Sequence, residues 1–323
     1  MKVVVLFLAA VIASTTALSY VQDSDYARFL EFELQHKPTY KSESERAFRL
    51  QVFKDNLREI EALNLKYPET EYGVTKFATW TKEEFRSKML QKKQFNSHSV
   101  KPAPELSPEK LAATPSDFDW RQKNVVTSIK DQGYCGACWA FAATASIESA
   151  HAIKTTQLLD LSEQELVDCD WISQGCNFGF VNTALEYAVF DGLVPLQQYP
   201  FNDEKNACLK NVSAAARVKI TGYHKLPLSE DKIAAHVAET GPATIGIICP
   251  DKLMHYKGGI FEDHECIKGS EGLHALTIVG YSPDYWIIKN SWGTDWGEKG
   301  FARFKRGIDI CGMSLDVDQP YID

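Results

Sequence analysis

Eight cysteines, all of them between residues 135 and 311, place the strongest constraint on what this chain can fold into. They can form stable disulfides only if the protein enters an oxidising compartment. Residues 3–12 form an apolar run that follows Lys2 and precedes small residues at 15–17, which is the pattern of a secretory signal peptide. We therefore predict a signal peptide over residues 1–17 and disulfides further along the chain. The alternative for the first residues is a buried N-terminal strand.

Beyond this segment, the residue patterns divide the chain into two regions. Residues 18–114 show helical spacing of apolar residues and end in a polar, proline-containing stretch over 91–114, typical of an extended linker that proteases cut. Residues 115–323 contain all the cysteines, and helical patterns come before strand patterns. This order predicts an α+β fold with two packed subdomains and a cleft between them. The predicted helices lie at about 25–36, 42–64, 82–90, 138–154 and 182–190, and a further helix begins at the capping box 162–165; the predicted strands lie at 72–77, 244–249, 275–281, 285–289 and 300–305.

The charge balance limits the partners of the chain. The formal net charge is −8, which makes nucleic acid and anionic membranes unsuitable partners. No later apolar stretch reaches the length of a transmembrane helix, so we predict no membrane span. Residues 1–114 carry a net charge of +2 and residues 115–323 carry −10. This asymmetry is either chance composition or the sign of a basic segment that docks on an acidic domain.

The strongest local signal is the segment 132–139, Gln-Gly-Tyr-Cys-Gly-Ala-Cys-Trp. A cysteine is nucleophilic as the thiolate, and the N-terminus of a helix favours that negative charge. Cys138 meets this requirement if it begins the predicted helix. Cys135 and Cys138 could instead be half of a zinc site. The spacing of the other candidate ligands, His255, His264 and Cys266, is poor for zinc, so we predict no metal and no cofactor.

A catalytic thiol needs a base, and the base needs a group that orients it. His274 precedes the strand pattern 275–281, and Asn290 follows the strand pattern 285–289. Strand ends can project side chains into a cleft. A lone histidine before an apolar run is usually a satisfied core residue, but its combination with Cys138 and Asn290 favours catalysis.

These motifs carry a family resemblance. The segment Cys135–Trp139 fits the signature of papain-like cysteine proteases, and His274 and Asn290 follow Cys138 by 136 and 152 residues, near the family's spacing. The sequence 290–293, Asn-Ser-Trp-Gly, also resembles that family. Over about residues 25–323 the chain is identified as a member of the cathepsin L-like subfamily. The resemblance implies a papain-like fold with a helical left lobe and a β-barrel-like right lobe, preceded by a helical pro-domain.

The resemblance also implies the roles of the site residues. Cys138 attacks the scissile carbonyl, His274 pairs with it as imidazolium, and Asn290 fixes the imidazole ring. Trp292 shields the His274–Asn290 hydrogen bond from water. The Gln132 side-chain amide and the Cys138 backbone N–H form the oxyanion hole. A strongly depressed pKa of the thiol, the behaviour known for papain itself, is expected to accompany this arrangement.

The resemblance sorts the cysteines into three disulfides, and two cysteines stay outside them. Cys138 is kept for catalysis, and Cys249, in an apolar run, is interpreted as a buried, inert thiol rather than a second nucleophile. The implied pairs are Cys135–Cys176, Cys169–Cys208 and Cys266–Cys311.

The substrate pocket follows from the same resemblance. Gly179 is expected to bind the substrate as an extended strand. The family usually has two glycines after the Cys-Asn pair; here Phe178 stands in place of the first, and Gly179 is the other. Asp316 is expected at the floor of the pocket for the second residue before the cut, and we hypothesise that it admits arginine as well as leucine or phenylalanine; the alternative is a solvated aspartate. The expected walls of the pocket are Phe180, Val181, Gly246, Gly272 and Leu273.

The N-terminal region resembles the inhibitory propeptide of cathepsin L-like enzymes. One helical stripe carries the pattern of that propeptide, with its members at Glu45, Arg49, Phe53, Asn56, Ile60 and Asn64. Thr79 stands where the family usually has an aspartate at the end of its second motif. The expected domains are the signal peptide 1–17, the propeptide 18–114 and the catalytic domain 115–323. We expect self-processing below about pH 5, where carboxylates begin to protonate, and a mature N-terminus between Ala112 and Ser116.

Taken together, the sequence predicts a lysosomal or secreted cysteine endopeptidase made as a zymogen. The chain lacks, between Cys169 and Cys208, the insertion that blocks the cleft of exopeptidase relatives. The expected partners are protein and peptide substrates, its own propeptide and cystatin-like inhibitors, and the expected state is a monomer. Asn211 begins a glycosylation sequon, which is either used or silent. The competing class is a non-catalytic papain-like binding or storage protein, whose hallmark, loss of a catalytic residue, is not found.

Overall fold

The computed structural model describes residues 24–92, 100–209, 212, 217–266 and 272–323. The predicted signal peptide, Asn211 and part of the predicted linker lie outside these residues. Among the described residues, no helix combines the length and hydropathy needed to cross a membrane.

The N-terminal region is built on helices α1 (24–36), α2 (Glu43–Lys66) and α3 (Lys82–Met89). Helix α2 begins where the Ser42 side chain accepts from the backbone N–H of Glu45, and α3 begins at a capping box formed by Thr81 and Glu84. The buried side of α2 presents Phe53, which packs against the aromatic ring of Phe29 on α1 at a centroid distance of 5.5 Å. The helical stripe expected from the sequence is therefore the face that forms this small core.

Two expectations for this region are wrong. The strand predicted at 72–77 is β1 (Thr70–Tyr72), and the chain then turns, because the Ala78 backbone N–H donates to the Thr75 carbonyl. The linker predicted to be extended contains a short helix, α4 (Pro108–Ala112). A proline is tolerated in the first turn of a helix, and the Ser107 hydroxyl caps the turn, so these residues initiate a helix rather than prevent one.

The C-terminal domain starts with a helical lobe. Its helices are α5 (Cys138–Thr155), α6 (Glu163–Cys169) and α7 (Val181–Phe190). Alanine-rich α5 is the central element and is buried over most of its length, so α7 can pack closely against it. Disulfides Cys135–Cys176 and Cys169–Cys208 cross-link this lobe, and Cys266–Cys311 lies in the second lobe. These are the three pairs that the resemblance implies.

The second lobe is a sheet covered by helix α8 (Glu230–Thr240). Within the described residues the strand order is β1-β6-β9-β8-β7-β5-β10-β4, and only β6 and β9 are parallel among the neighbours; β2 and β3 both pair with β7. Strand β7 has burial on both faces, as its continuous apolar sequence predicts. The remaining strands are β2 (Gln91–Lys92), β3 (Phe118–Asp119), β4 (Gly222–Lys225), β5 (Ala243–Ile248), β6 (Tyr256–Phe261), β7 (Gly272–Tyr281), β8 (Tyr285–Lys289), β9 (Phe301–Lys305) and β10 (Val317–Tyr321).

The N-terminal region docks on this sheet at three places. Strand β1 pairs with β6 at one end of the sheet, and β2 pairs with β7 in the middle. At the other end, the carbonyl of Lys101 accepts from the backbone N–H of Lys225 on β4, and the N–H of Ala103 donates back to the Lys225 carbonyl, both at 2.9 Å. The N-terminal region therefore covers both outer edges of the sheet as well as its centre.

Ion pairs support the docked-segment interpretation of the charge asymmetry. Among the described residues, four lysine or arginine side chains of the N-terminal region pair with acidic residues of the C-terminal domain. The partners are Arg86–Asp251 (2.5 Å), Lys76–Asp131 (2.7 Å), Lys110–Glu239 (2.5 Å) and Lys66–Glu265 (3.2 Å). Most of these side chains are partly exposed, so each pair contributes little by itself and is weakened by salt.

Candidate active site

Cys138 is the first residue of α5 and is fully buried. The preceding Gly136 must be a glycine, because a Cβ at that position would lie 2.5 Å from the Cys176 carbonyl oxygen. The tight approach of these two backbone segments, held by the Cys135–Cys176 disulfide, sets where the helix begins. The sulfur of Cys138 therefore sits at the positive end of the helix macrodipole.

His274 lies on β7, and Asn290 directly follows the neighbouring antiparallel strand β8. The distance between His274 Nε2 and Asn290 Oδ1 is 2.8 Å. The indole of Trp292 stacks on the imidazole at a centroid distance of 4.6 Å and an interplanar angle of 26°. The Asn290 oxygen is fixed in turn by the backbone N–H of Ser291 at 2.8 Å. The imidazole is thus oriented by an amide on one nitrogen and by an aromatic ring on one face.

Cys138 belongs to a small buried cluster with Ala275, the residue after His274, at the boundary between the lobes. The backbone N–H of Ala275 acts on the sulfur so as to lower the pKa of the Cys138 thiol. Within the described part of the chain, His274 Nδ1 has no hydrogen-bond partner. Because Nε2 is engaged with Asn290, Nδ1 is the nitrogen left to exchange a proton with the thiol.

Burial favours the neutral form of both members of this pair while the N-terminal region is in place. It raises the pKa of the Cys138 thiol to about 11 and lowers the pKa of His274 to about 4. The physical reason is that the N-terminal region excludes water from the site, and desolvation disfavours both the thiolate and the imidazolium. The depressed thiol pKa that the resemblance implies belongs to the uncovered site and stays a prediction.

Gln132 is fully buried beside the cysteine. Its Oε1 accepts from the Ser291 hydroxyl at 2.7 Å, which fixes the orientation of the side-chain amide. Its Nε2 donates to the Cys135 carbonyl at 2.9 Å and lies 3.4 Å from the carbonyl oxygen of Met89 in the N-terminal region. A peptide carbonyl of the N-terminal region is therefore directed at the donor predicted for the oxyanion hole.

Gln91, which the sequence interpretation did not single out, touches the nucleophile itself. Its Nε2 donates to Cys138 Sγ at 3.1 Å, and its Oε1 accepts from the Gly179 backbone N–H at 3.4 Å. Its backbone lies opposite Leu273 of β7. No sequence signal distinguishes this glutamine from its polar neighbours, because its contacts depend on where α3 ends. The N-terminal region thus covers the sulfur and the Gly179 N–H that are expected to meet a substrate.

A cavity of about 420 Å³ opens beside Gly179 and His274. Five residues expected in the substrate pocket line it, namely Phe180, Val181, Gly246, Leu273 and Asp316. Gly272 instead faces the N-terminal region, since a Cβ there would lie 2.6 Å from Leu90. Phe178 is half-buried and packs against Phe180 at a centroid distance of 5.9 Å. The lining residues that the sequence did not predict include two charged ones, Lys225 and Asp318.

A buried charge network supports the floor of the site below Asn290. The Lys289 ammonium donates to the Thr127 hydroxyl, which donates in turn to Glu148, and Lys130 joins Glu148 to Glu163. Burial lowers the pKa of Lys289 to about 8. These contacts tie Lys289, the last residue of β8, to the helical lobe and so help to position Asn290, the next residue.

Among the described residues, one group has the spacing of metal ligands: Asp263, Cys266 and Cys311, whose donor atoms lie within 4.8 Å of one another. The two sulfurs are bonded to each other as a disulfide. They therefore cannot act as thiolate ligands, and this group is a cross-link rather than a metal centre.

Comparison with known proteins matches two families to the two regions. Residues 114–321 match the family described as "Papain family cysteine protease", and residues 29–85 match the "Cathepsin propeptide inhibitor domain (I29)". The "Cathepsin L-like proteinase" of Phaedon cochleariae is 35% identical over 333 residues, which is 100% of both chains.

Solved structures of precursors share the architecture. The "Recombinant stem bromelain precursor" superposes with a TM-score of 0.84 at 32% identity, covering 93% of this chain and 99% of its own. Digestive procathepsin L 3 of the Tenebrio molitor larval midgut superposes with a TM-score of 0.82 at 30% identity, covering 92% and 99%. Both the fold and the placement of an N-terminal region over a cleft are therefore shared with known proteins.

Proposed function

This chain belongs to the papain family of cysteine proteases and carries a cathepsin-type inhibitory propeptide, and from that premise we propose that Cys138 is the nucleophile, His274 the general base and acid, and Asn290 the orienting group. The observation that carries the proposal is the 2.8 Å contact between His274 Nε2 and Asn290 Oδ1, next to the buried cluster that contains Cys138 and Ala275. It engages Nε2, so Nδ1 is the ring nitrogen left for the proposed proton exchange with the thiol.

The zymogen is inactive because the propeptide covers the site and excludes water from it. The Gln91 side chain contacts the sulfur, and the Met89 carbonyl occupies the position opposite Gln132. When the propeptide leaves, water and substrate replace it, and the desolvation that holds the thiol and imidazole neutral is relieved. The proton of the thiol then moves to His274 Nδ1, which gives a thiolate at the head of α5 and an imidazolium held by Asn290.

Peptide hydrolysis follows in two steps. The thiolate attacks the scissile carbonyl carbon, and the developing oxyanion accepts from Gln132 Nε2 and from the Cys138 backbone N–H. The imidazolium gives its proton to the leaving amine, the C–N bond breaks, and an acyl-enzyme thioester remains. His274 then takes a proton from water, the hydroxide displaces the sulfur, and the carboxylic acid product leaves with the thiolate restored. The Gly179 N–H, freed from Gln91, binds the substrate backbone.

We propose that the mature enzyme begins between Ala112 and Ser116 and consists of about residues 115–323. Helix α4 ends at Ala112, and the following residues 113 and 114 are partly or fully exposed. From Pro115 onward the chain is held, because the Tyr281 hydroxyl donates to the Pro115 carbonyl at 3.0 Å and β3 pairs with β7. A protease can therefore reach the segment before this anchor more easily than the segment after it.

The apolar N-terminal sequence supports a route through the secretory pathway, to a lysosome-like acidic vesicle or to the extracellular space. The three disulfides are consistent with an oxidising route. We propose glycosylation at Asn211, inhibition by cystatin-like proteins and a monomeric state as further properties of this enzyme.

Covalent labelling tests the assignment of the nucleophile. The acid-activated protein is treated with an epoxide reagent for thiols, and the labelled peptide is identified by mass spectrometry. The label is expected on Cys138, with loss of peptidase activity, and is expected to be absent in Cys138→Ala but present in Cys249→Ala, whose thiol is buried. Retained peptidase activity in Cys138→Ala would refute the proposal, and stoichiometric thiol labelling without any activity would favour a binding or storage protein.

A further inference from the structure

The cavity beside the catalytic residues has a charged floor that the sequence motifs do not reveal. The ammonium of Lys225 is paired with the carboxylate of Asp316 and lies 3.3 Å from the carboxylate of Asp318. All three residues line the cavity. The hypothesis drawn from the sequence treated Asp316 as an uncompensated acid. In the folded chain the Asp316 carboxylate forms an ion pair with Lys225.

The sheet itself brings these groups together. Lys225 is the last residue of β4 and lies opposite Asp318 in the antiparallel pairing of β4 with β10. Asp316 comes immediately before β10. The pairing therefore fixes the lysine between the two carboxylates independently of any substrate. Gly246 keeps the space above Asp316 open, since a Cβ at that position would lie 3.0 Å from Asp316 Oδ2.

The exposed fraction of the three side chains increases from the base of the cavity to its mouth. Asp318 is 3% exposed, Lys225 is 33% exposed and Asp316 is 60% exposed. Burial raises the pKa of Asp318 to about 6, so below that pH this carboxyl is protonated and the charge of the Lys225 ammonium is left to Asp316. The two carboxylates raise the pKa of Lys225 above its ordinary value despite its partial burial, so it remains an ammonium at any working pH.

We propose that Lys225 determines the specificity of the pocket for the second residue before the cut: it neutralises Asp316, so the pocket selects apolar side chains and rejects basic ones. This inference rests on the proposed peptidase function. A substrate guanidinium that reaches Asp316 also meets the Lys225 ammonium, and like charges at short range repel each other. The apolar walls formed by Val181, Leu273 and Leu315 offer a basic side chain no compensation.

The test compares mature enzymes on reporter peptides that differ only at this position, Phe-Arg and Arg-Arg, by kcat/KM. The wild-type enzyme is expected to favour Phe-Arg by at least about tenfold, because a misplaced charge costs more than a methylene in a substrate pocket. Lys225→Met is expected to raise the Arg-Arg to Phe-Arg ratio at least about tenfold, because it leaves Asp316 uncompensated. Lys225→Arg keeps the charge and is expected to retain the wild-type preference.

Lys154→Met is the matched control, because Lys154 is an exposed lysine in the last turn of α5. It is expected to leave the ratio unchanged. Equal cleavage of both peptides by the wild-type enzyme, or an unchanged ratio in Lys225→Met, would overturn the inference. Failure of the wild-type enzyme to cleave either peptide, with no labelling of Cys138, would instead overturn the proposed peptidase function.

A second variant covers the case in which Lys225→Met does not fold. Asp316 is largely exposed, so Asp316→Ala is expected to fold, and it leaves the Lys225 ammonium with one carboxylate fewer. Cleavage of a Glu-Arg reporter is then expected to rise relative to Phe-Arg, and cleavage of Arg-Arg is expected to fall. A decrease in Arg-Arg cleavage with no gain on Glu-Arg would contradict the role given to Lys225.

Discussion

Replacement of Gln91 by alanine tests how the propeptide inhibits the enzyme. The side chain makes two buried contacts that alanine cannot make, 3.1 Å to Cys138 Sγ and 3.4 Å to the Gly179 N–H. The pairing of β2 with β7 uses backbone atoms and is retained. Each hydrogen bond contributes about 0.5–1.5 kcal/mol, so the covered state should lose about 1–3 kcal/mol. The population of zymogen with an open cleft is then expected to rise by about 5-fold to 150-fold.

The assay measures the rate at which a small alkylating reagent modifies Cys138 in the intact zymogen at about pH 7.5, where the covered state is expected to persist because its carboxylates remain ionised. If opening is fast, this rate reports the open population, as in exchange from transiently opened states. Gln51→Ala serves as the control, because Gln51 is an exposed glutamine on α2 whose amide donates to Asp55 within the same helix. An alkylation rate in Gln91→Ala equal to that of the control would refute the claim that this side chain holds the cleft closed.

Two further predictions follow from the site and the propeptide. Gln132→Ala should lower kcat by ~10²–10³ with little change in the rate of Cys138 labelling, because it removes an oxyanion donor and leaves the nucleophile; a loss of labelling equal to the loss of kcat would contradict this assignment. Glu84→Gln should move self-processing toward neutral pH relative to its exposed neighbour Glu83→Gln, as read from gels of zymogen held between about pH 4 and pH 7.5. The hydrogen bonds from Arg49 lower the pKa of Glu84, so the stability from this pair is present above the unfolded pKa and is lost as pH falls through the lowered folded pKa. An unchanged processing profile in Glu84→Gln would show that acid release does not pass through this pair.

The Glu84 pair also explains how the propeptide tolerates its departure from the family motif. Thr79 stands where an aspartate is usual, and here it is buried and contributes its backbone carbonyl to Arg49 at 3.1 Å. The carboxylates that meet Arg49 come from Glu84 and Glu45 instead. The guanidinium is therefore satisfied without an acidic side chain at position 79.

The proposed catalytic residues could be located from the sequence because each lies in a short local motif. Cys138 begins a helix after a glycine that admits close backbone contact, and His274 and Asn290 lie on or directly after apolar strands whose pattern is visible in the chain. Such features depend on neighbours within a few residues, so the sequence carries them directly.

Lys225 and Gln91 could not be predicted, because their roles depend on pairing between distant segments. Lys225 meets Asp318 only through the register of β4 on β10, and nearly a hundred residues separate the two. Gln91 reaches the sulfur because α3 ends at Met89 and the chain then pairs with β7. A single sequence contains no local pattern that reports either register. The short helix α4 is hard to predict for a different reason. Prolines disfavour a helix at most positions, and only the capping Ser107 places Pro108 in the first turn, where a helix tolerates it.

The sheet has one consequence for the life of the enzyme after activation. Strand β1 belongs to the propeptide and pairs with the outer side of β6, and residues 101–103 of the propeptide bond to the outer side of β4 at the other end. Once the propeptide is cleaved away, both rows of backbone groups become open to solvent at the same time. Unpaired strand edges can pair with strands of other chains, so the mature protein should be more prone to self-association than its precursor. A peptide that pairs with those edges should increase its solubility.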